Sequence, residues 1–344
     1  MKTQYANAVT QYENGTSLGG RIIKEGGLVV FPTETVYGLG ANGLDSEAVL
    51  RIFAAKGRPA DNPLILHIAK KSELKPLWSH VPDNARILAD TFWPGPMTMI
   101  FNRSSIVPDE VTAGLDTVAV RMPLNKTARA LINAAGVPIA APSANLSGKP
   151  SPTTAEHVRQ DMDGRVDLII DGGPCKYGLE STVVSLIGRP TILRPGAVTK
   201  EMLEAVIGPV DVAHAVLSPL REGETAASPG MKYRHYAPDA EVVVAEGRER
   251  EIAAKICREY DAREAAGEDC IIFATKQTQP FYRGRNCVII GNRTEPATLC
   301  ASLFYSLREY GDRADVIFAE ALPNDDMGLA YMNRLLRSAG FNII

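Results

Sequence analysis

The stretch Lys56-Gly57-Arg58-Pro59-Ala60-Asp61-Asn62-Pro63 lies between a predicted helix, residues 46–56, and a predicted strand, Leu64–Ala69. Helix, loop and strand in this order form the unit from which α/β domains are built. The loop combines two fixed cations, a flexible glycine and two prolines. Cations on such a stiff loop are suited to binding phosphates or carboxylates.

A second stretch, Ala140-Ala141-Pro142-Ser143-Ala144-Asn145-Leu146-Ser147-Gly148, places short hydroxyl and amide groups directly after an apolar strand-like segment. Strand ends in α/β sheets commonly carry ligands. Together the two stretches predict an enzyme that holds a small polyanion.

Around these stretches, strand and helix candidates alternate over about 200 residues, as in an α/β domain. The strand candidates are Leu28–Phe31, Leu64–Ala69, Met97–Phe101, Val118–Met122, Pro138–Ala141, Leu168–Asp171, Thr182–Leu186 and Thr191–Arg194, and the helix candidates are 16–25, 46–56, 83–92, 125–135, 153–161 and 199–207. After residue 165 strands follow one another with only turns between them. This favours a twisted mixed sheet over a wholly parallel one.

Beyond Gly208 the pattern changes to Pro, Gly, Ser, Glu and Ala as far as Pro238, which predicts a long linker. The rest predicts a smaller, Rossmann-like parallel α/β domain: strands at Glu241–Ala245, Cys270–Ala274, Cys287–Ile290 and Asp315–Ala319, and helices at 247–266, 295–310 and 328–339. We therefore expect a catalytic domain at 1–208, a linker at 209–238 and a second domain at 239–344.

The composition is that of an ordinary globular protein, with 344 residues, 45% hydrophobic, 22% charged and a net charge of −3. This balance argues against a protein whose main task is wrapping a nucleic-acid backbone. The five cysteines are scattered, and neither a signal-peptide pattern nor a membrane-length apolar run is evident. We expect a reduced, cytoplasmic protein with no membrane association.

Gly38-Leu39-Gly40-Ala41-Asn42-Gly43 matches the dinucleotide motif Gly-x-Gly-x-x-Gly. The context argues against it, because Pro32–Tyr37 separates the glycines from the preceding strand candidate and Asp61 does not end a second strand. Signatures of P-loop, zincin and α/β-hydrolase sites are missing from the sequence. The five histidines lack the spacing of metal ligands, so we assign no protein metal ligand.

Seven motifs in the same order closely resemble the YrdC-like domain of L-threonylcarbamoyladenylate synthases. They are Phe31–Gly40, Lys56–Pro59, Asn62–Leu64, Trp93–Pro96, Val120–Pro123, Pro142–Gly148 and Glu180–Val183. Ser228–Pro238, followed by a small α/β unit, resembles the long form of that family, in which a linker joins an extra C-terminal domain.

The resemblance implies a nucleotidyltransferase that converts L-threonine, bicarbonate and ATP to threonylcarbamoyl-AMP and pyrophosphate. The product would go to a tRNA threonylcarbamoyl-transfer protein that modifies an adenosine beside the anticodon, and a weak tRNA contact is part of the same expectation. Mg²⁺ is expected as the companion of the ATP phosphates, keeping most of its waters.

The resemblance also implies roles for individual residues. Lys56 and Arg58 would be catalytic, with Arg58 on the triphosphate and Lys56 near the carbamate and α-phosphate. The ATP side would comprise Arg58, Asn62, Thr117, Ser143, Asn145, Ser151, Arg194 and Tyr236. The threonine side would comprise Thr35, His67, Arg121, Ala141 through its backbone, and Ser181. Tyr233, His235 and Tyr236 would form a lid.

Each residue also has a structural alternative. Lys56 and Arg58 suit a solvated helix end, Ser143 and Asn145 suit a turn, and His67 suits a core position. Two other functions remain open at this point: an RNA-binding module, and a carbamoyl-transfer domain like those inside larger maturation enzymes.

Overall fold

The computed structural model describes residues 2–8, 12–219 and 236–344. The chain divides into two compact units: Met1–Ser147 with Ser151–Lys232, and Gly148–Pro150 with Tyr233–Ile344. Among the described residues, no helix has both the length and the apolar composition that a membrane span requires.

The first unit is one mixed sheet covered by helices. Its strands are β1 (Gln4–Asn7), β2 (Val29–Phe31), β3 (Gly38–Asn42), β4 (Ile65–His67), β5 (Met97–Asn102), β6 (Thr117–Arg121), β7 (Ile139–Ala140), β8 (Leu168–Asp171), β9 (Thr182–Ser185), β10 (Thr191–Arg194) and β11 (Asp211–Val212). Its helices are α1 (Tyr12–Lys24), α2 (Ser46–Lys56), α3 (Asp83–Phe92), α4 (Asp109–Thr112), α5 (Lys126–Ala135), α6 (Ala155–Met162) and α7 (Lys200–Ile207), and 3₁₀ turns lie at Lys71–Leu74 and His214–Val216.

The strand order is β1-β8-β2-β3-β7-β4-β6-β5-β9-β10-β11. Parallel pairs such as β4 with β6 alternate with antiparallel pairs such as β5 with β6, which confirms the predicted mixed sheet. Val30 faces one apolar cluster while Val29 and Phe31 face another, because successive strand residues point to opposite faces. Both faces of the sheet are therefore buried at β2.

The glycines of the apparent dinucleotide motif lie in β3. This strand pairs antiparallel with β2, whereas the motif requires a glycine turn that opens a helix. The interpretation of these glycines as a dinucleotide-binding motif therefore fails on topology as well as on sequence context.

The second unit is a four-stranded parallel sheet in the order β12-β15-β13-β14, as predicted. Its strands are β12 (Glu241–Ala245), β13 (Cys270–Thr275), β14 (Cys287–Gly291) and β15 (Val316–Glu320); its helices are α8 (Glu249–Ala265), α9 (Pro296–Tyr310) and α10 (Asp326–Ser338), with a 3₁₀ turn at Gln279–Tyr282. Parallel sheets need helical crossovers, which explains the alternation in the sequence.

Part of the predicted linker is structured. β11 pairs parallel with β10, and Val210, Ala215 and Val216 are buried. Prolines and small residues around these apolar positions hid them from the sequence pattern. Residues 220–235 of the predicted linker lie outside the described residues.

Candidate active site

Three neighbouring strands bring polar side chains to one edge of the first sheet. His67 ends β4 and Arg121 ends β6, and the two residues are partners in the parallel register. Thr98 of β5 faces Arg121 from the antiparallel side. All three side chains are buried, so this edge forms an enclosed polar site.

Arg121 is held by three hydrogen bonds. Its Nη2 donates to Glu34 Oε1 at 2.7 Å, its Nη1 to Thr35 Oγ1 at 2.9 Å, and its Nε to the carbonyl of Gly95 at 3.4 Å. Thr35 is itself fixed by Thr33, whose hydroxyl lies 2.8 Å away. A planar guanidinium held in this way offers its remaining donors in a fixed direction.

Glu34 connects three parts of the site. Besides Arg121, its carboxylate accepts a hydrogen bond from the backbone N–H of Asn125, at the start of α5. Its carbonyl accepts one from the N–H of Tyr177. Although burial opposes the charged form, the Arg121 guanidinium and the hydrogen bonds hold the pKa of Glu34 below its usual value. Glu34 is therefore an anion.

The other titratable groups beside this pair are uncharged. Burial, helped by the charge of Arg121, lowers the pKa of His67 to about 3, so its imidazole is neutral near pH 7. Burial, with Glu34 adding to the effect, raises the pKa of the Cys175 thiol to about 12. The ion pair is thus the main charge in this part of the site.

Ser181 contacts Arg194, although the family resemblance assigned these two residues to different substrates. Its hydroxyl lies 2.8 Å from Thr98 Oγ1. Arg194 donates from Nη2 to the same hydroxyl at 3.2 Å and from Nε to the Ser181 carbonyl at 3.0 Å. Ser181, predicted on the threonine side, and Arg194, predicted on the ATP side, are therefore direct neighbours.

Lys56 ends α2 and is buried, which excludes the solvated helix end. Its ammonium donates to the carbonyls of Ser143 and Asn145 at 2.5 and 2.6 Å. Gly57 then turns the chain with a φ of 64°, a conformation that glycine adopts without strain. In this state Lys56 fixes the second sequence stretch, and Ser143 Oγ donates to Asn145 Oδ1 at 2.6 Å.

The loop after Gly57 contains an unsatisfied amide. Arg58 Nη2 donates to the carbonyl of Asn62 at 2.8 Å, closing the loop. The Asn62 side chain is fully buried, and neither its oxygen nor its nitrogen has a hydrogen-bond partner in the described part of the chain. Such a group costs free energy unless something else binds it, which is the condition expected of a ligand contact.

The remaining predicted residues do not form one cluster with this group. Thr117 begins β6, about 13 Å along the strand from Arg121 at its end. Ser151 donates to the buried carboxylate of Glu180 at 2.5 Å, and the N–H of Ala141 donates to the carbonyl of Ile65.

Of the predicted lid residues, Tyr236 belongs to the second unit, where its ring packs on Phe304. The other lid residues, Tyr233 and His235, lie outside the described residues.

Sequence reasoning overlooked Glu34, Thr98 and Glu180 as site residues. Glu34 and Glu180 are in motifs that the sequence analysis quoted, but a glutamate in a motif resembles any surface glutamate. The available signal was the position of Glu34 between two threonines and three residues after the apolar strand that ends at Phe31. Thr98 gave no signal beyond its position in an apolar strand.

Comparison with protein families gives two matches that together cover most of the chain. Residues 21–196 match the family model described as telomere recombination, of the Sua5, YciO and YrdC proteins. Residues 198–340 match the model of the threonylcarbamoyl-AMP synthase C-terminal domain.

Individual proteins agree with these models. The threonylcarbamoyl-AMP synthase of Pyrococcus abyssi is 48% identical over 325 residues, 94% of this chain and 93% of that one. The Bacillus subtilis protein of the same name is 46% identical, over 94% of this chain and 92% of its own. The crystal structure of P. abyssi Sua5 complexed with L-threonine superposes with a TM-score of 0.92 at 44% identity, covering 100% of this chain and 99% of that one.

Proposed function

This chain belongs to the threonylcarbamoyl-AMP synthase family, and from that premise we propose that it converts L-threonine, bicarbonate and ATP to L-threonylcarbamoyl-AMP and pyrophosphate. The threonine amine and bicarbonate first give a carbamate and water. A carbamate oxygen then attacks the α-phosphorus, forming one P–O bond while the bond to the leaving pyrophosphate breaks. The enzyme is thus a nucleotidyltransferase, and its product is the activated group that a tRNA threonylcarbamoyl-transfer protein uses.

On the amino-acid side, Arg121 is the group that would bind the threonine carboxylate. Five N–H donors belong to a guanidinium, and three of those of Arg121 are used within the protein, so two remain. A charge-assisted, two-pronged contact of this kind is both strong and directional. The neutral His67 and the hydroxyl of Ser181 would satisfy the uncharged polar groups of the substrate.

On the nucleotide side, Arg58 would bind phosphate oxygens and the buried Asn62 amide would form the hydrogen bonds that the protein leaves open. Lys56 would act by holding the Ser143 loop against them. The reaction brings two anions together, so its catalysis rests on positioning and on fixed positive charge.

Magnesium would enter with the triphosphate. Among the described residues no group of three His, Cys, Asp or Glu side chains could hold a metal ion. Mg²⁺ bound to ATP keeps several waters and needs one or two carboxylates at most, and the buried Glu180 beside Ser151 fits that need. The ion would neutralise phosphate charge.

The observation that best supports a reaction between two substrates is the direct contact of Ser181 with Arg194. One residue belongs to the predicted amino-acid side and the other to the predicted nucleotide side. Hydrogen bonds of 3.0 and 3.2 Å join these two residues, which supports a site where the two substrates would be adjacent, as in-line attack requires.

The test is to incubate the full-length protein with ATP, Mg²⁺, bicarbonate and ¹⁴C-threonine, and to separate products by chromatography. We expect labelled threonylcarbamoyl-AMP and an equal amount of pyrophosphate, both requiring threonine and bicarbonate together. Absence of product, combined with salt-dependent RNA binding, would support the RNA-binding alternative. Product formed only from carbamoyl phosphate would support the carbamoyl-transfer alternative.

A further inference from the structure

Glu34 is a buried carboxylate to which the reaction itself gives no role. It is 5% exposed, and it lies beside Arg121, the residue that would bind the substrate carboxylate, at 2.7 Å. An anion beside an anion-binding residue weakens simple attraction of a carboxylate, so its presence calls for an explanation other than affinity.

The first part of the explanation is orientation. Glu34 and Thr35 occupy one N–H on each of the two terminal nitrogens of Arg121. The two donors that remain are therefore one on each terminal nitrogen. This arrangement suits one carboxylate bound by two parallel hydrogen bonds. Without Glu34 the guanidinium would lose its shortest contact within the protein.

The second part is charge balance. Arg121 and Glu34 carry opposite charges, while His67 and Cys175 beside them are neutral. The Arg121–Glu34 pair therefore carries no net charge before substrate enters. A zwitterionic amino acid leaves that balance intact, whereas an acid without an amine adds one uncompensated negative charge.

We propose that Glu34 is a positioning and specificity-determining residue, which orients Arg121 toward the substrate carboxylate and makes the site prefer an amino acid over an acid that lacks the amine. The inference rests on the proposed function. Glu34 acts through Arg121 and through the charge of the site, and it does not contact the reacting atoms.

The test compares wild type with Glu34→Gln, which removes the charge but keeps an oxygen that can accept from Arg121. The amine-free probe is (R)-3-hydroxybutyrate, which is threonine without its amino group, used as a competitive inhibitor. We expect the KM for threonine to rise about tenfold with kcat within about threefold, and the inhibition constant of the probe to fall. The control Asp109→Asn, which removes the exposed partner of an ion pair with Arg103, should change neither constant.

A double-mutant cycle shows whether Glu34 acts through Arg121. On an Arg121→Ala background, Glu34→Gln should no longer weaken threonine binding, measured by calorimetry. An unchanged KM and probe selectivity in Glu34→Gln, or an equal effect on both backgrounds, would overturn the inference. If Glu34→Gln fails to fold, Glu34→Asp decides: its KM should rise while its selectivity stays, and a wild-type KM would refute positioning. Absence of product from the wild type would instead contradict the proposed function.

Discussion

Each of the two units contains a buried glutamate paired with an arginine, and the two pairs differ in their surroundings. In the first unit, Arg121 and Glu34 are both 5% exposed, and two N–H groups of Arg121 remain unused by the described protein. In the second unit, Glu320 at the end of β15 is 1% exposed and lies 3.5 Å from Arg293. The two networks differ in whether the protein itself supplies all of their hydrogen-bond partners.

Glu320 is saturated by its own domain. It accepts hydrogen bonds from the N–H and hydroxyl of Thr275 at 3.4 and 3.1 Å, from the Tyr282 hydroxyl at 2.9 Å and from the Thr278 hydroxyl. Burial and the nearby carboxylate raise the pKa of Tyr282, which therefore remains a donor. A closed network of this kind stabilises a fold, whereas a network with unused buried donors is available to a ligand.

The largest effect is expected from Arg121→Ala. Two charge-assisted hydrogen bonds to the substrate are lost, at about 1.5–3 kcal/mol each, so kcat/KM for threonine should fall about a thousandfold. Steady-state kinetics with pyrophosphate release as the readout measures this. The variant also leaves Glu34 unpaired, so its folding must be confirmed by circular dichroism.

Arg121→Lys is the matched variant, because it keeps the charge and loses the planar fork. Its kcat/KM should lie between those of the wild type and the alanine variant. An alanine variant that is folded and retains kcat/KM within tenfold of wild type would remove Arg121 from the amino-acid site.

The second unit should show the opposite result. Glu320→Ala removes the buried acceptor that Thr275, Thr278 and Tyr282 share, so the second unit should lose about 3–5 kcal/mol of unfolding free energy. The KM for threonine should not change. Urea denaturation followed by circular dichroism, together with kinetics below the transition, tests both statements. A stable variant with altered threonine KM would reverse the distinction between the two networks.

The sequence pattern located most elements because they bury one face or both. α2 and β8 were predicted with the bounds that the structure has. β3 was not predicted, because glycine has a low strand propensity. The structure explains that glycine: a Cβ at Gly40 would lie 2.8 Å from the ring of Phe31 and 2.7 Å from Ile139. The glycines of β3 are thus required by tertiary packing, which a single sequence does not reveal.

For the site, the residue types were predictable and their bonds were not. Two cations on a stiff loop, with hydroxyl and amide groups after a strand, indicated polyanion binding, and the family resemblance assigned residues to each substrate. The roles of Lys56 as a support for a loop and of Glu34 as a partner of Arg121 depend on contacts across 87 residues of sequence in each case. Such contacts follow from the sheet order and leave no local signal.

The charge state of the first network can be tested through the pH dependence of stability. The folded first unit keeps His67 neutral, with a pKa near 3, while the unfolded chain binds a proton at about 6.5. The unfolded state therefore binds more protons below pH 6.5, and stability falls as the pH falls. Between pH 6.5 and 5 the loss should amount to about 1–2 kcal/mol.

Urea midpoints of wild type and His67→Gln at several pH values in this range provide the measurement. The slope of unfolding free energy against pH should be smaller in the variant, by up to one proton. Identical slopes would mean that another group causes the pH dependence of stability. His67 would then not be a buried neutral ring in the folded protein.

The smallest effect is expected from Asn62→Ala, and it separates an amide reserved for a ligand from one used by the fold. Because the Asn62 side chain makes no hydrogen bond within the described protein, its removal should change unfolding free energy by no more than about 1 kcal/mol. Asn145→Ala is the matched control, since that amide donates to Leu146 and accepts from Ser143, and its loss should cost more stability. The KM for ATP should rise about tenfold in Asn62→Ala, about 1.4 kcal/mol, because the nucleotide loses a partner that the fold never used. A large loss of stability with unchanged ATP affinity would show that Asn62, like Glu320, stabilises the fold and does not bind a ligand.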